Sequence, residues 1–230
     1  MFRRMGRMAT TTRRREGAGS AGAPTLLDWM LERRAGLWEL SAAPPAGAGR
    51  CSVAAALLAG AVRQGRRCAW VTPRDAMGVL PPDLAQAGLP LEALLFVRPP
   101  GGRHAPRHLA RAAELLLRSG AFGWVVLDAT AAGPAPAAWS SRLAAQAEHH
   151  DAGLLLLTSK PAEAPSAGPR VRLRLQLRVQ REAGRWWLLG EVLRCREQAP
   201  AHHLRLAARP PECLPGAVGS EGLASREAAS

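Results

Sequence analysis

The chain has 230 residues, 47% of them hydrophobic. That allows one domain of ordinary size with tails and a sizeable core. Its 31 basic residues against 18 acidic ones give a net charge of +13, a positive field that attracts nucleic acid or an acidic protein. No apolar run approaches the roughly 20 residues of a membrane helix, and the Arg-rich start lacks the apolar stretch of a secretory leader. Cys51, Cys68, Cys195 and Cys213 form neither a CxxC pair nor a zinc pattern. The expectation is a cytoplasmic protein with reduced thiols, no metal and no membrane partner. Lys160 is the only lysine and tyrosine is absent; with abundant Ala, Gly and Pro this skew points to a GC-rich coding bias that also inflates arginine.

Met1–Pro24 has no apolar period and carries Arg3, Arg4, Arg7, Arg13, Arg14 and Arg15. It reads as a disordered basic arm, either a nucleic-acid-binding tail or a solvated one, with Met5 and Met8 as alternative starts. Thr25–Arg34 is predicted helical, capped by Thr25 and apolar at Leu26, Leu27, Met30 and Leu31. Leu37–Leu40 alternates as a strand does; a Pro/Gly loop follows, then an apolar helix from about Arg50 to Gly65. Arg66–Thr72 and Leu91–Arg98 read as strands, Arg107–Gly120 as an amphipathic helix, and Val125–Asp128 as a buried strand ending in an acid. A helix over Ala135–His150 and a buried strand over Leu154–Leu157 complete the alternation.

Short apolar strands alternating with helices predict an α/β fold, a mostly parallel sheet covered by helices on both faces. Arg170–Arg181 then alternates strictly, with Arg172, Arg174, Gln176, Arg178 and Gln180 opposite Val171, Leu173, Leu175, Leu177 and Val179. This predicts a half-buried strand, and Trp186–Arg196 its antiparallel hairpin partner. The arginine face of that strand, Arg172, Arg174 and Arg178, either contacts phosphate or an acidic partner, or protects a sheet edge by exposed charge. Gln198–Ser230 reads as a flexible tail on which Leu204 and Leu206 could dock. The expected organisation is an arm at 1–24, a core at 25–196 and a tail at 197–230.

A phosphate loop needs a strand, a glycine-rich turn and a helix N-terminus, whose backbone N–H groups cradle the phosphates while a lysine and a Ser/Thr hydroxyl serve the terminal phosphates and Mg²⁺. Here strand Leu37–Ser41 runs into Ala43-Pro44-Pro45-Ala46-Gly47-Ala48-Gly49-Arg50-Cys51-Ser52 and then a helix. Gly47 and Gly49 keep the turn. Pro44 stands at the first glycine position, Arg50 replaces the lysine, and Cys51 replaces the hydroxyl, a poor ligand for hard Mg²⁺. Ser52 is one place further on, and Asp128 stands where a metal-linked acid belongs. Of the remaining constellations, His104 and His108 lack a third ligand, and Trp186-Trp187 splits its rings between packing and a surface that could stack on a base. Cys51 at a helix start is weighed between a lowered thiol pKa and plain packing.

The order Gly36–Leu40, Pro45…Gly49-Arg50-Cys51-Ser52, Gln64–Val71, Asp75-Ala76, Gly88–Leu95 and Leu117–Asp128 resembles bacterial RecA recombinase over about 160 residues, Gly36–Arg196. The shorter ImuA family (SulA-like, or recombinase-A-like) is more similar still. The resemblance implies a RecA-like phosphate-loop core ending in an antiparallel hairpin. It departs where RecA has its catalytic glutamate: Arg74 stands there, with Asp75 beside it. The segments matching the two DNA-binding loops, about 131–137 and 160–169, are short, and the large C-terminal domain is missing.

The resemblance therefore implies a catalytically degenerate accessory protein of DNA repair, acting in SOS-induced translesion synthesis. It would be an adaptor for an ImuB-like Y-family polymerase homologue and an error-prone replicative-type polymerase, with RecA and single-stranded DNA as further partners. Two alternatives stay open. One is a weak ATPase or nucleotide-gated switch holding ATP and Mg²⁺ through Gly47, Gly49, Arg50, Cys51, Ser52 and Asp128. The other is a DNA-binding module driven by the basic arm and the hairpin.

Overall fold

The computed structural model describes residues 25–44, 48–76, 79, 81–131 and 137–208. The basic arm and the last residues of the tail lie outside them. Helix α1 (Leu26–Glu32) opens on a reciprocal cap, in which the Thr25 hydroxyl accepts from the Asp28 N–H and the Asp28 carboxylate accepts from the Thr25 N–H. Strand β1 (Gly36–Ala42) follows, then α2 (Ala48–Arg63), β2 (Cys68–Val71), α3 (Pro81–Gln86) and β3 (Leu94–Val97). Next come α4 (Ala105–Arg118), β4 (Trp124–Asp128), α5 (Ala137–His149), β5 (Gly153–Ser159), β6 (Val171–Glu182), β7 (Arg185–Cys195) and β8 (His203–Ala208). Helix α3 is an addition to the predicted elements; Leu84 is its buried anchor.

All eight strands form one mixed sheet in the order β3-β2-β4-β5-β1-β6-β7-β8. The first six in that order are mutually parallel, and β6, β7 and β8 are antiparallel. The fold is thus α/β, mostly parallel, with helices on both faces and a C-terminal antiparallel hairpin. Strand β8 pairs with β7 from Glu191–His203 to Trp186–Ala208, so the sheet continues past residue 196, and Leu204 is buried.

Alternation along β1 sorts its residues between two cores. Trp38, Leu40 and Ala42 join α1 and α2 on one face; Leu37 joins α4 and α5 on the other. Trp38 is the hub of the first core. It meets Trp29 edge to face at 5.5 Å and Trp124 at 6.2 Å, and donates its indole N–H to the Arg34 carbonyl at 2.7 Å. Gly153 is glycine because the Trp124 ring lies where a Cβ would be.

The β5-to-β6 connection crosses β1 without a helix, although parallel crossovers usually carry one. Residues 160–170 lie over Glu39 and Ser41, the polar residues on that face of β1. Glu39 is fully buried. Its carboxylate pairs with Lys160 at 2.6 Å and accepts from the Thr158 hydroxyl and the Ala167 N–H, both at 2.9 Å. Arg174 holds the other half of the crossover. It donates to Ser41 Oγ at 2.9 Å, to the Pro161 carbonyl at 2.6 Å and to the Ala164 carbonyl. From α5, the Ser140 hydroxyl donates to the Ala167 carbonyl at 2.7 Å.

This arrangement corrects the reading of β6. The strand is internal rather than an edge, and its polar face is covered along its first half. Arg174 is 2% exposed, and burial lowers its pKa, opposed by the charge of Glu39. Arg172 turns back over Trp38 and donates to the Arg33 and Ala35 carbonyls at 2.6 Å each. Only Arg178 of the three is exposed.

Glu39→Gln is expected to lower the urea-unfolding free energy by about 3 kcal/mol, the cost of breaking a buried pair from one side. The paired change Glu39→Met with Lys160→Met should lose less, because no charge is then left unpaired. Equal losses in the two variants would show that the ion pair does not organise the crossover.

Candidate site at the strand ends

The carboxyl ends of β1, β2, β4 and β5 converge where α2 leaves toward one face and α5 toward the other. Such a switch point in an open parallel sheet is where crevices form. Ala42, Thr72, Asp128 and Thr158 stand there. Gly49, Arg50, Cys51 and Ser52 form the first turn of α2 above them, and Gly47 lies outside the described residues.

Gly49 is set by close packing. A Cβ there would meet Leu188 Cδ2 at 2.5 Å, so the hairpin β6–β7 lies directly against the start of α2. Arg50 is 6% exposed and points down into the sheet. Its Nη1 donates to the Ala42 carbonyl at 3.1 Å and to the Thr158 carbonyl at 2.7 Å. These are carbonyls at the ends of β1 and β5, so the guanidinium ties two adjacent strands together. Burial lowers the Arg50 pKa, against the opposing charges of Cys51 and Asp128. Its Nε is buried without a hydrogen-bond partner among the described residues.

Cys51 faces the first core. Burial, reinforced by Asp128, pushes its thiol up to about 11. The alternative of a lowered pKa is therefore overturned: desolvation outweighs the helix terminus and the neighbouring arginine. Burial also drives Cys68 up to about 12. Ser52 is exposed on the adjacent side of the helix.

Asp128 is 1% exposed, and its carboxylate is engaged within its own surroundings. Oδ1 accepts from the Thr130 hydroxyl at 2.6 Å and the Thr130 N–H at 3.1 Å, while Oδ2 accepts from the Thr72 hydroxyl at 3.3 Å. Asp128 lies near enough to raise the pKa values of Arg50 and Cys51. The structure therefore brings Arg50, Cys51 and Asp128 together as the spacing suggests. Arg172, Arg174 and Arg178 belong to a separate part of the sheet.

Arg74, at the position expected for a catalytic acid, is exposed, and the neighbouring Asp75 accepts from the Gly102 N–H at 2.8 Å. Of the segments matching DNA-binding loops, 132–136 lies outside the described residues. The other, 160–169, is fastened to the sheet by Glu39 and Arg174. His104 Nε2 accepts from Arg103, and His108 Nδ1 donates to the Pro100 carbonyl. Among the described residues no group of three His, Cys, Asp or Glu is placed to hold a metal, and no helix is long and apolar enough to cross a membrane. Trp187 is partly buried with Arg205 stacked at 4.1 Å, whereas Trp186 is 40% exposed beside Arg181.

The pairing of Glu39 with Lys160 is a tertiary contact that leaves only a faint trace in the sequence. The available signal was a lone acid inside the apolar run Leu37–Leu40 and the only lysine of the chain.

The fold and site together define an α/β protein with a strand-end crevice closed by its own side chains. No family model matches the chain, and no curated protein matches it.

Two measurements probe this site. Arg50→Met should destabilise the fold by about 2 kcal/mol in urea, because it strips a buried donor from two strand-end carbonyls. A change within about 0.5 kcal/mol, typical of an uninvolved surface residue, would show that the clamp is unimportant. Iodoacetamide at pH 8 should label Cys51 and Cys68 about a hundredfold more slowly in the folded protein than in urea, as read by mass spectrometry. Their folded pKa values lie above the unfolded ones, so both thiols favour folding below the unfolded pKa, and that contribution is lost as pH rises from about 9 toward 11 and 12.

Proposed function

We propose that the chain is a RecA-like accessory protein of damage-induced mutagenesis, an adaptor that retains the architecture of a phosphate-loop nucleoside triphosphatase without its hydrolytic chemistry. The observation that carries this reading is Arg50. The cation standing in for the phosphate-binding lysine is engaged with the Ala42 and Thr158 carbonyls, and so faces the sheet rather than a ligand. The surrounding architecture supports a phosphate-loop ancestry. Strand β1 is central, a long helix follows it within a few residues, and an acid ends β4, one strand removed from β1.

ATP with Mg²⁺ fits these residues poorly. A triphosphate needs a free cation at its terminal phosphates and a hydroxyl or carboxylate oxygen for the metal. Here Arg50 is tied down, Cys51 offers a protonated thiol, and both Asp128 oxygens already accept hydrogen bonds. Loss of the acid at Arg74 removes the group that would activate water in the family the chain resembles. What remains is a rigid platform, for which binding partners is the consistent role. The partners implied by the resemblance are an ImuB-type polymerase homologue and, through it, an error-prone polymerase.

Equilibrium dialysis with labelled ATP and Mg²⁺ tests the nucleotide half of this reading. No binding is expected at millimolar nucleotide, and no hydrolysis with or without single-stranded DNA. Turnover abolished by Asp128→Ala would replace the adaptor with a nucleotide-gated switch. Size-exclusion chromatography with the purified ImuB-type homologue tests the partner half. Co-elution is expected, and separate elution at micromolar concentrations would remove that partner.

A further inference from the structure

A cleft of about 700 Å³ runs between α4 and α5 and shares no residue with the strand-end site. Arg103, Arg107 and Arg111 line one wall at four-residue intervals; Arg142 lines the other; Trp139 is also part of the lining. A single carboxylate, Glu114, faces these four arginines. It sits toward one end, only 14% exposed, and is shared by Arg111 at 3.3 Å and Arg142 at 3.5 Å. At the other end Arg103 and Arg107 are exposed, and neither pairs with a carboxylate among the described residues. The concave surface therefore carries uncompensated positive charge over one half and a rigid ion-paired stop at the other.

We infer that this groove docks a short acidic peptide segment of a partner protein, its carboxylates seated on Arg103 and Arg107. Three observations favour a peptide. Arg103 lies on a 3-10 turn that runs directly into α4, about one helical turn before Arg107, a spacing comparable with the ~6.6 Å between alternate side chains of an extended chain. A cleft of this volume suits a few residues, and Arg with Trp is the composition of interface hot spots. A nucleic-acid strand needs a basic track and several rings for successive bases. This groove offers one indole, Trp139, partly packed into the α4–α5 core with its nitrogen buried, and one imidazole, His104, already engaged by Arg103, and it ends at a carboxylate. Recognition would rest on bidentate guanidinium–carboxylate pairs, and the positive field would speed encounter.

The inference deepens the adaptor reading by naming a docking surface and its chemistry. Fluorescence anisotropy of the full chain with a labelled peptide of alternating Glu and Ser tests it, beside an alternating Gln and Ser peptide and labelled oligothymidylate. The Glu peptide should bind, and the Gln peptide at least about tenfold more weakly. Arg103→Ala with Arg107→Ala should weaken the Glu peptide at least about tenfold while leaving oligothymidylate unchanged. Both positions are exposed, so the melting temperature should hold. Arg103→Glu with Arg107→Glu should transfer preference to a Lys and Ser peptide. Unchanged affinity for the Glu peptide in the alanine variant would overturn the proposal, as would a loss confined to oligothymidylate, which would make the groove a nucleic-acid site. Because the probes are synthetic, failure to bind the polymerase homologue leaves this result standing, and the reverse is equally visible.

Discussion

A carboxylate with no exposure to water sits in the middle strand of this protein, and the sheet is arranged around satisfying it. A carboxylate inside a packed interior needs a counter-charge and several donors. Lys160, Thr158 and the Ala167 N–H supply them, and all three lie on β5 or on the crossover that follows it. The crossover is consequently bound to β1, which fixes where β6 can enter the sheet. Strand β6 in turn delivers Arg174, whose guanidinium fastens the first part of the same crossover. A helix would cover β1 by apolar contact; here a polar network does so, and its directional bonds specify one path for the chain.

The same logic governs the strand ends. Parallel strands leave carbonyls at their carboxyl ends that need donors. In a nucleotide-binding protein those ends stay open to a ligand and its metal. Here Arg50 reaches back and supplies the donor itself, a task for which arginine and lysine are not interchangeable. An ammonium on a flexible stem can remain a point charge for phosphate, whereas a planar guanidinium presents several donors and can join two carbonyls at once. On the phosphate-loop reading proposed above, the residue that keeps the positive charge of the motif would thereby be the one that fills the place the motif serves.

Much of the architecture was legible because hydrophobic periodicity reports it directly. The apolar runs at Val125–Leu127 and Leu154–Leu157, and the amphipathic Arg107–Gly120, correspond to β4, β5 and α4. Helix α3 was hidden, since Pro81–Gln86 is too short for a period and has one buried anchor, Leu84. Strand β8 was hidden among Pro, Gly and Ser residues, because its pairing with β7 is a tertiary event. The arginine stripe of β6 was misread for a more general reason. Period two states which side chains share a face, and says nothing about whether water or a crossover lies against that face. The nearness of Arg50 and Asp128 is legible in motif order. The inward turn of Arg50 depends on carbonyls eight and 108 residues away, which no local pattern encodes.

A net charge of +13 invites a reading in terms of nucleic acid alone, yet much of that charge is employed as internal scaffolding. Arg50 and Arg174 are buried donors; Arg172 caps two carbonyls and covers Trp38; Arg205 stacks on Trp187 and pairs with Glu182. A chain with one lysine and no tyrosine has few long side chains that can carry a donor through an apolar layer, and arginine fills that role with a stem that packs and a head that forks. Counting basic residues therefore overstates the positive surface. The informative arginines are those whose heads meet no carboxylate among the described residues, and Arg103 and Arg107 stand out because the surrounding fold leaves their charge to be met from outside.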